Sequence, residues 1–147
     1  MNLQQKVTEL TDAYDEICEW FNELDDNMVS DAFGLMKEAS ALQASFESLL
    51  ADLNKSYIDC ERMAKAKQAK ISRESSTKVN EGDRIAASSE EVLKSWEFVS
   101  DIQKSARYME AKARHLSRIY FDSKLIYENA CRSLRNPVGD DKLVGRI

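Results

Sequence analysis

The residue types that most often carry catalysis or bind metals are sparse in this 147-residue chain. His115 is the one histidine, and the three cysteines, Cys18, Cys60 and Cys131, lie far apart. A structural zinc site needs about four Cys or His ligands at close spacing. The sequence also contains neither a glycine-rich phosphate loop nor a nucleophile elbow. We therefore predict that the protein is not an enzyme and uses no cofactor and no metal.

Two runs of basic residues could carry a different chemistry, the binding of a polyanion. The run from residue 62 to residue 78 contains one acid, Glu74, and the run from 104 to 118 contains one acid, Glu110. A row of cations binds a nucleic-acid backbone by releasing its counterions, and aromatic rings add stacking on single-stranded bases. The predicted nucleic-acid-binding residues are Arg62, Lys65, Lys67, Lys70, Arg73, Lys78, Arg107, Lys112, Arg114 and Arg118, with Tyr108 and Phe121 as stacking rings.

The charge distribution leaves two other interpretations of these runs open. Residues 1–60 contain thirteen acidic and three basic residues, whereas residues 61–147 contain thirteen acidic and eighteen basic residues. Asymmetry of this kind can mark a nucleic-acid contact. The basic residues could equally form solvated helix faces or pair with the acidic half of the same chain.

Apolar residues that could position these side chains recur at alternating spacings of three and four. Such a heptad pattern is typical of amphipathic helices that pack as bundles or coiled coils. The series from Leu3 to Leu24 predicts a helix over residues 2–24 that begins at a capping pair of Asn2 and Gln5. The series from Met28 to Ala64 predicts a second helix over 27–73, after the turn signal Asp25-Asp26-Asn27. Trp96 and Tyr120 fall on a third series and are predicted to lie mostly in the core.

The predicted domain organisation is an N-terminal helical hairpin over 1–74, a basic and polar connection over 75–88, a long C-terminal helix over 89–136 and a disordered tail over 137–147. Serines and Gly82 mark the connection, and Ser88 with Glu91 has capping-box spacing for the last helix. Asn136-Pro137 should end that helix. One proline and four glycines in the whole chain also favour an all-α fold, an antiparallel helical bundle or coiled coil.

The length of the second predicted helix suggests self-association. At about 1.5 Å per residue it would extend roughly 70 Å, and its apolar stripe needs a partner along that length. We therefore expect a homo-oligomer. No apolar stretch approaches the roughly 18 residues needed to cross a bilayer, and three scattered cysteines fit a reducing compartment. We expect a cytoplasmic protein without a membrane partner.

The layout resembles the UvsY recombination mediator family of T-even phages. The similarity is carried by Glu61-Arg62-Met63-Ala64-Lys65-Ala66-Lys67-Gln68-Ala69-Lys70, followed by Gly82-Asp83-Arg84 and a long C-terminal helix. The resemblance implies that the basic segment binds single-stranded DNA and that the C-terminal helices form ring-like oligomers. It further implies partners, a RecA-type recombinase and a single-strand-binding protein, and location in the host cytoplasm. The strand-binding role would fall on Lys65, Lys67, Lys70 and Arg73.

Two functions are therefore expected from the sequence. The first is a single-stranded-DNA-binding accessory of phage-type homologous recombination or replication that acts as an oligomer. The second is a coiled-coil protein-binding module, an adaptor, scaffold or inhibitor, which presents its acidic N-terminal helices to a basic target.

Overall fold

The computed structural model describes residues 1–135, and over them the protein is all-helical. The predicted all-α fold is thus confirmed, and the tail predicted over 137–147 lies outside the described residues. No helix within the described part is long and apolar enough to cross a membrane. The four helices are α1 (Leu3–Glu23), α2 (Val29–Ser75), α3 (Val79–Ser88) and α4 (Glu90–Arg135).

The chain divides into two structural units, and the long helices α2 and α4 each contribute to both. Within the described residues, unit 1 comprises Met1–Glu47 and 111–135, and unit 2 comprises Ser48–Glu110. Unit 1 thus contains α1, the first part of α2 and the second part of α4. Unit 2 contains the remainder of α2, all of α3 and the first part of α4.

The start of α1 is set by the capping pair that the sequence predicted. The Asn2 side chain accepts a hydrogen bond from the Gln5 backbone N–H at 2.8 Å, and the Asn2 backbone N–H donates to Gln5 Oε1 at 3.1 Å. This reciprocal arrangement satisfies two N–H groups that a helix otherwise leaves without a partner. The chain reverses after α1 through a turn in which the Met28 N–H donates to the Asp25 carbonyl at 2.9 Å.

Unit 1 has a core formed by one face of each of its three helices. Phe46 and Leu35 of α2 are fully buried, as is Leu116 of α4. The ring of Tyr14 in α1 packs edge-on against Phe46, with centroids 6.3 Å apart. Most residues of the predicted apolar series are buried or half-buried here, and Ser123 of α4 is fully buried as well.

Unit 2 has a core of leucine, valine and methionine side chains together with smaller ones. Ala64 of α2, Ala86 of α3 and Val92 of α4 are each at most 1% exposed. Trp96 lies half-buried, and its Nε1–H donates to Gln68 Oε1 at 3.2 Å. This hydrogen bond ties α4 to α2 at the point where the apolar series of α2 weakens in the sequence.

The connection predicted over 75–88 requires correction, because residues 79–88 form the ten-residue helix α3. Gly82, interpreted from the sequence as a loop residue, lies buried where α3 meets α2. A Cβ atom at this position would collide with the backbone carbonyl oxygen of Ser72. The Ser72 hydroxyl also donates to Asp83 at 2.7 Å. Glycine is therefore required for close packing of two helices and not for a turn.

The capping box predicted for Ser88 and Glu91 is also wrong. Because α3 continues to Ser88, the hydroxyl of Ser88 points back into that helix and donates to the carbonyl oxygens of Arg84 and Ile85, each at 3.1 Å. Ser89 separates the two helices, and its carbonyl accepts the first hydrogen bond of α4 from Leu93 at 3.0 Å.

Candidate nucleic-acid interface

The predicted site residues fall into two sets, because α4 passes from one unit to the other. Unit 2 holds eight of them and unit 1 holds four. All twelve except the half-buried Lys112 are exposed. The set in unit 2 is Arg62, Lys65, Lys67, Lys70, Arg73, Lys78, Arg107 and Tyr108, and the set in unit 1 is Lys112, Arg114, Arg118 and Phe121.

A basic row on α2, defined as Lys67, Lys70 and Arg73, lies on the part of the helix that faces solvent. The buried side of α2 in this region runs through Leu53 and Ala64, which leaves Lys67, Lys70 and Arg73 exposed. These three residues follow one another at spacings of three, so their side chains are neighbours on the helix surface. A row of this kind matches the repeating charge of a nucleic-acid backbone.

Two further cations, which precede this row on α2, have acidic partners on the same helix. Arg62 Nη2 lies 2.9 Å from Asp59 Oδ1, and Lys65 Nζ lies 3.5 Å from Glu61 Oε1. The Arg62 and Lys65 side chains remain 73% and 64% exposed. Exposed ion pairs contribute only about 0–1 kcal/mol, so phosphate groups could replace these carboxylates at little cost.

A shallow cleft between α2 and α4 lies beside this row. Met63 and Phe98 flank it and are 71% and 59% exposed. Its polar groups are Lys67 and Ser95, and its floor is formed by Cys60 and Ala64. An aromatic ring, an apolar floor and a cation in one cleft can hold a flat base against the ring while the cation meets a phosphate.

Phe98 was not predicted as a site residue, although the sequence contained a signal for it. It immediately precedes Val99, which is buried, and so it lies outside the apolar series, as Tyr108 and Phe121 do. The criterion that selected those two rings applies equally to Phe98. Its proximity to Lys67 depends on how α4 packs on α2, and spacing along the chain does not show it.

Tyr108 is a second exposed ring in unit 2. It is 58% exposed, and Lys104 Nζ lies 5.9 Å from the centre of its ring. The exposed part of this ring is available for stacking on a base. Trp96 and Tyr120 are half-buried, in line with the expectation that they serve mainly in packing.

A separate polar cluster lies inside unit 1. Tyr14 Oη and His115 Nδ1 are joined by a 2.7 Å hydrogen bond, and Cys18 Sγ lies 3.8 Å from the same nitrogen. Lys112 Nζ lies 4.2 Å from the centre of the Tyr14 ring. Burial, followed by the hydrogen bond and charge of Cys18 and the charge of Asp15, raises the pKa of Tyr14 to about 12.

This cluster assigns internal roles to two residues of α4. His115 links α4 to α1 through Tyr14, so its position is explained by packing and hydrogen bonding. Lys112 lies over the Tyr14 ring, which makes it less available to a ligand than the exposed cations. Within residues 1–135, no group of three or more His, Cys, Asp or Glu side chains could hold a metal ion.

Comparison with known protein families, with curated proteins and with solved structures finds no match for the chain.

Proposed function

We propose that the protein binds single-stranded DNA through unit 2 and acts as an oligomeric accessory of phage-type homologous recombination or replication. The observation that carries this proposal is the cleft of Met63, Lys67 and Phe98 beside the exposed cations Lys70 and Arg73. It combines a surface for stacking bases with a surface for phosphates, which are the two requirements of single-strand binding. The resemblance to the UvsY family supports the same function.

The arrangement favours a single strand over a duplex. In a duplex the bases stack on one another, so an exposed ring such as Phe98 has no free base face to contact. In a single strand each base offers a flat face to an aromatic ring, and stacking contributes about 1–3 kcal/mol per base. The cations of α2 would meanwhile follow the backbone without selecting a sequence.

Charge reversal in the row tests this proposal. The variant Lys67→Glu with Lys70→Glu should lose binding to a fluorescently labelled single-stranded oligonucleotide, measured by anisotropy at low salt. The matched control, Lys37→Glu with Lys55→Glu, reverses two exposed lysines of α2 outside the row and should bind like the wild type. If the variant Lys67→Glu with Lys70→Glu bound the oligonucleotide as tightly as the control variant does, the row would not contact the strand.

A second candidate function is supported by the surface of α1. Asp12, Glu16, Glu19 and Glu23 are exposed on this helix, and they could present a negative surface to a basic protein, as expected of an adaptor, scaffold or inhibitor. A defined partner that co-purifies with the wild type and is lost on Glu16→Arg with Glu19→Arg would favour this function. Retention of the partner by that variant would count against it.

A further inference from the structure

Unit 1 contains a groove between α1 and α2 that differs in character from the basic surface of unit 2. The groove has a volume of about 720 Å³. Ile17, Trp20 and Leu42 line its apolar part, and Glu16 and Glu38 lie at its exposed rim. An apolar groove with acidic edges is suited to an amphipathic helix that carries basic residues beside its apolar ones.

The outward face of α4 in unit 1 presents such a surface, here termed the α4 ridge and defined as Arg114, Arg118, Phe121 and Leu125. These residues follow one another at spacings of four, three and four, so they form one stripe along the helix. Phe121 and Leu125 are 60% and 57% exposed, and both arginines are exposed. The stripe lies opposite the buried face of α4, which passes through Leu116.

We propose that the α4 ridge of one copy packs into the α1–α2 groove of a second copy. Phe121 and Leu125 would cover the apolar lining of the groove, while Arg114 and Arg118 would meet the acidic rim. Because every copy carries both surfaces and the two surfaces differ, the contact is heterologous and can repeat from copy to copy. The inference depends on the self-association in the proposed function, and it does not depend on DNA binding.

Charge distinguishes this pairing from the alternatives. Two α4 ridges placed against each other would oppose arginine to arginine, which like charges disfavour. A nucleic acid would meet the arginines but would leave the acidic groove without an occupant. The groove also contains Lys37, which lies 5.1 Å from the centre of the Phe33 ring. The rim nevertheless stays negative, because Glu16 and Glu38 outnumber this lysine.

Reciprocal charge reversal tests the pairing in the full chain. The ridge variant is Arg114→Glu with Arg118→Glu, and the groove variant is Glu16→Arg with Glu38→Arg. By analytical ultracentrifugation, each variant alone should self-associate about tenfold more weakly than the wild type or worse. An equimolar mixture of the two should self-associate into a mixed oligomer, since the ridge of each variant then faces a groove of opposite charge. A mixture that stays monomeric would overturn the proposal.

A steric test does not alter the charge and uses two exposed alanines of α2. Ala41 lines the groove, whereas Ala44, three residues further along, does not. Ala41→Trp should block self-association by filling the groove, and Ala44→Trp should associate like the wild type. Circular dichroism establishes that both variants remain helical. Association of the Ala41→Trp variant at wild-type strength, or a wild type that is monomeric at all concentrations, would overturn the proposal.

Binding of a single-stranded oligonucleotide separates this inference from the proposed function. The Ala41→Trp variant, which changes no predicted nucleic-acid-binding residue, should bind the oligonucleotide through unit 2 at concentrations at which it is monomeric. A monomeric wild type that binds the oligonucleotide would refute the ridge-and-groove contact and leave the DNA-binding function intact. A ridge variant that self-associates like the wild type and loses the oligonucleotide would instead assign the α4 ridge to nucleic acid.

Discussion

At the scale of single residues, Gly34 and Gly82 show how local context decides the role of a helical glycine. A Cβ atom at Gly34 would lie 3.1 Å from the end of the Trp20 ring, which can shift, whereas at Gly82 it would meet the backbone of Ser72. The backbone of Ser72 cannot move aside without displacing helix α2. The two positions therefore respond differently to the same substitution.

We expect Gly82→Ala to lower the free energy of unfolding by about 1–3 kcal/mol, the usual cost of overpacking. Gly34→Ala should be close to neutral, because a gain in helix propensity of about 1 kcal/mol offsets the movement of Trp20. Urea denaturation followed by circular dichroism measures both changes. If Gly82→Ala proved as stable as Gly34→Ala, the close contact between α3 and α2 would be wrong.

Tyr14 leads to a prediction about stability at high pH. Its pKa is raised in the folded protein from an ordinary value of 10.0 to about 12, so the folded state retains this proton more firmly than the unfolded state does. Its contribution to stability is therefore fully present below about pH 10 and is lost as the pH rises through about 12.

The variant Tyr14→Phe isolates this effect. At neutral pH it should be less stable by about 1 kcal/mol, because the hydrogen bond to His115 is lost. Between about pH 10 and 12 its stability should fall less than that of the wild type, since one titrating group has been removed. Denaturation curves collected across this range for both proteins provide the comparison. Identical pH dependence would contradict the burial of the Tyr14 hydroxyl.

At the scale of secondary-structure elements, the packing of α4 on α2 places Phe98 beside Lys67. We expect Phe98→Ala to weaken binding of a single-stranded oligonucleotide by about 1–3 kcal/mol, the usual value of one stacked base. Leu93→Ala is the matched control, because Leu93 is also an exposed apolar residue of α4 in unit 2 and is 56% exposed. Both variants should retain the thermal stability of the wild type. If Leu93→Ala weakened oligonucleotide binding as much as Phe98→Ala did, a specific stacking role for Phe98 would be refuted.

The sequence predicted the long helices well because their apolar spacing reflects burial directly. Helices predicted over 2–24, 27–73 and 89–136 correspond to α1, α2 and α4, whose bounds are Leu3–Glu23, Val29–Ser75 and Glu90–Arg135. The short helix α3 was missed, since Gly82 and the serines before and at the end of this helix favour loops when read locally. Gly82 is explained by its close contact with α2, and such a contact depends on tertiary packing.

The candidate site was predictable in part for the same reason. Lys70 and Arg73 lie off the apolar series of α2, and eleven of the twelve predicted residues are exposed in the structure. Lys67 continues that series three residues after Ala64, so spacing did not predict its exposure. The cleft of Met63, Lys67 and Phe98 was not predictable, because it joins two helices that are far apart along the chain. Likewise, the sequence did not reveal that Lys112 lies over the ring of Tyr14.

At the scale of the whole molecule, the acidic and basic halves of the sequence are not structural halves. The acidic residues 1–60 extend from unit 1 into unit 2, and the second basic run is divided between the two units. Unit 1 therefore combines the acidic α1 with the arginines of the α4 ridge. This combination provides the complementary charges for the proposed self-association, while the basic row of α2 and its cleft lie in unit 2.

The most direct test of the account is a salt titration of the wild-type protein with a labelled single-stranded oligonucleotide. If the exposed cations of α2 contact about four phosphates, the logarithm of the affinity should fall with the logarithm of the salt concentration at a slope of about −3. Fluorescence anisotropy between about 50 and 200 mM salt measures this slope. Absence of binding at the lowest salt, or an affinity that does not change with salt, would contradict the account.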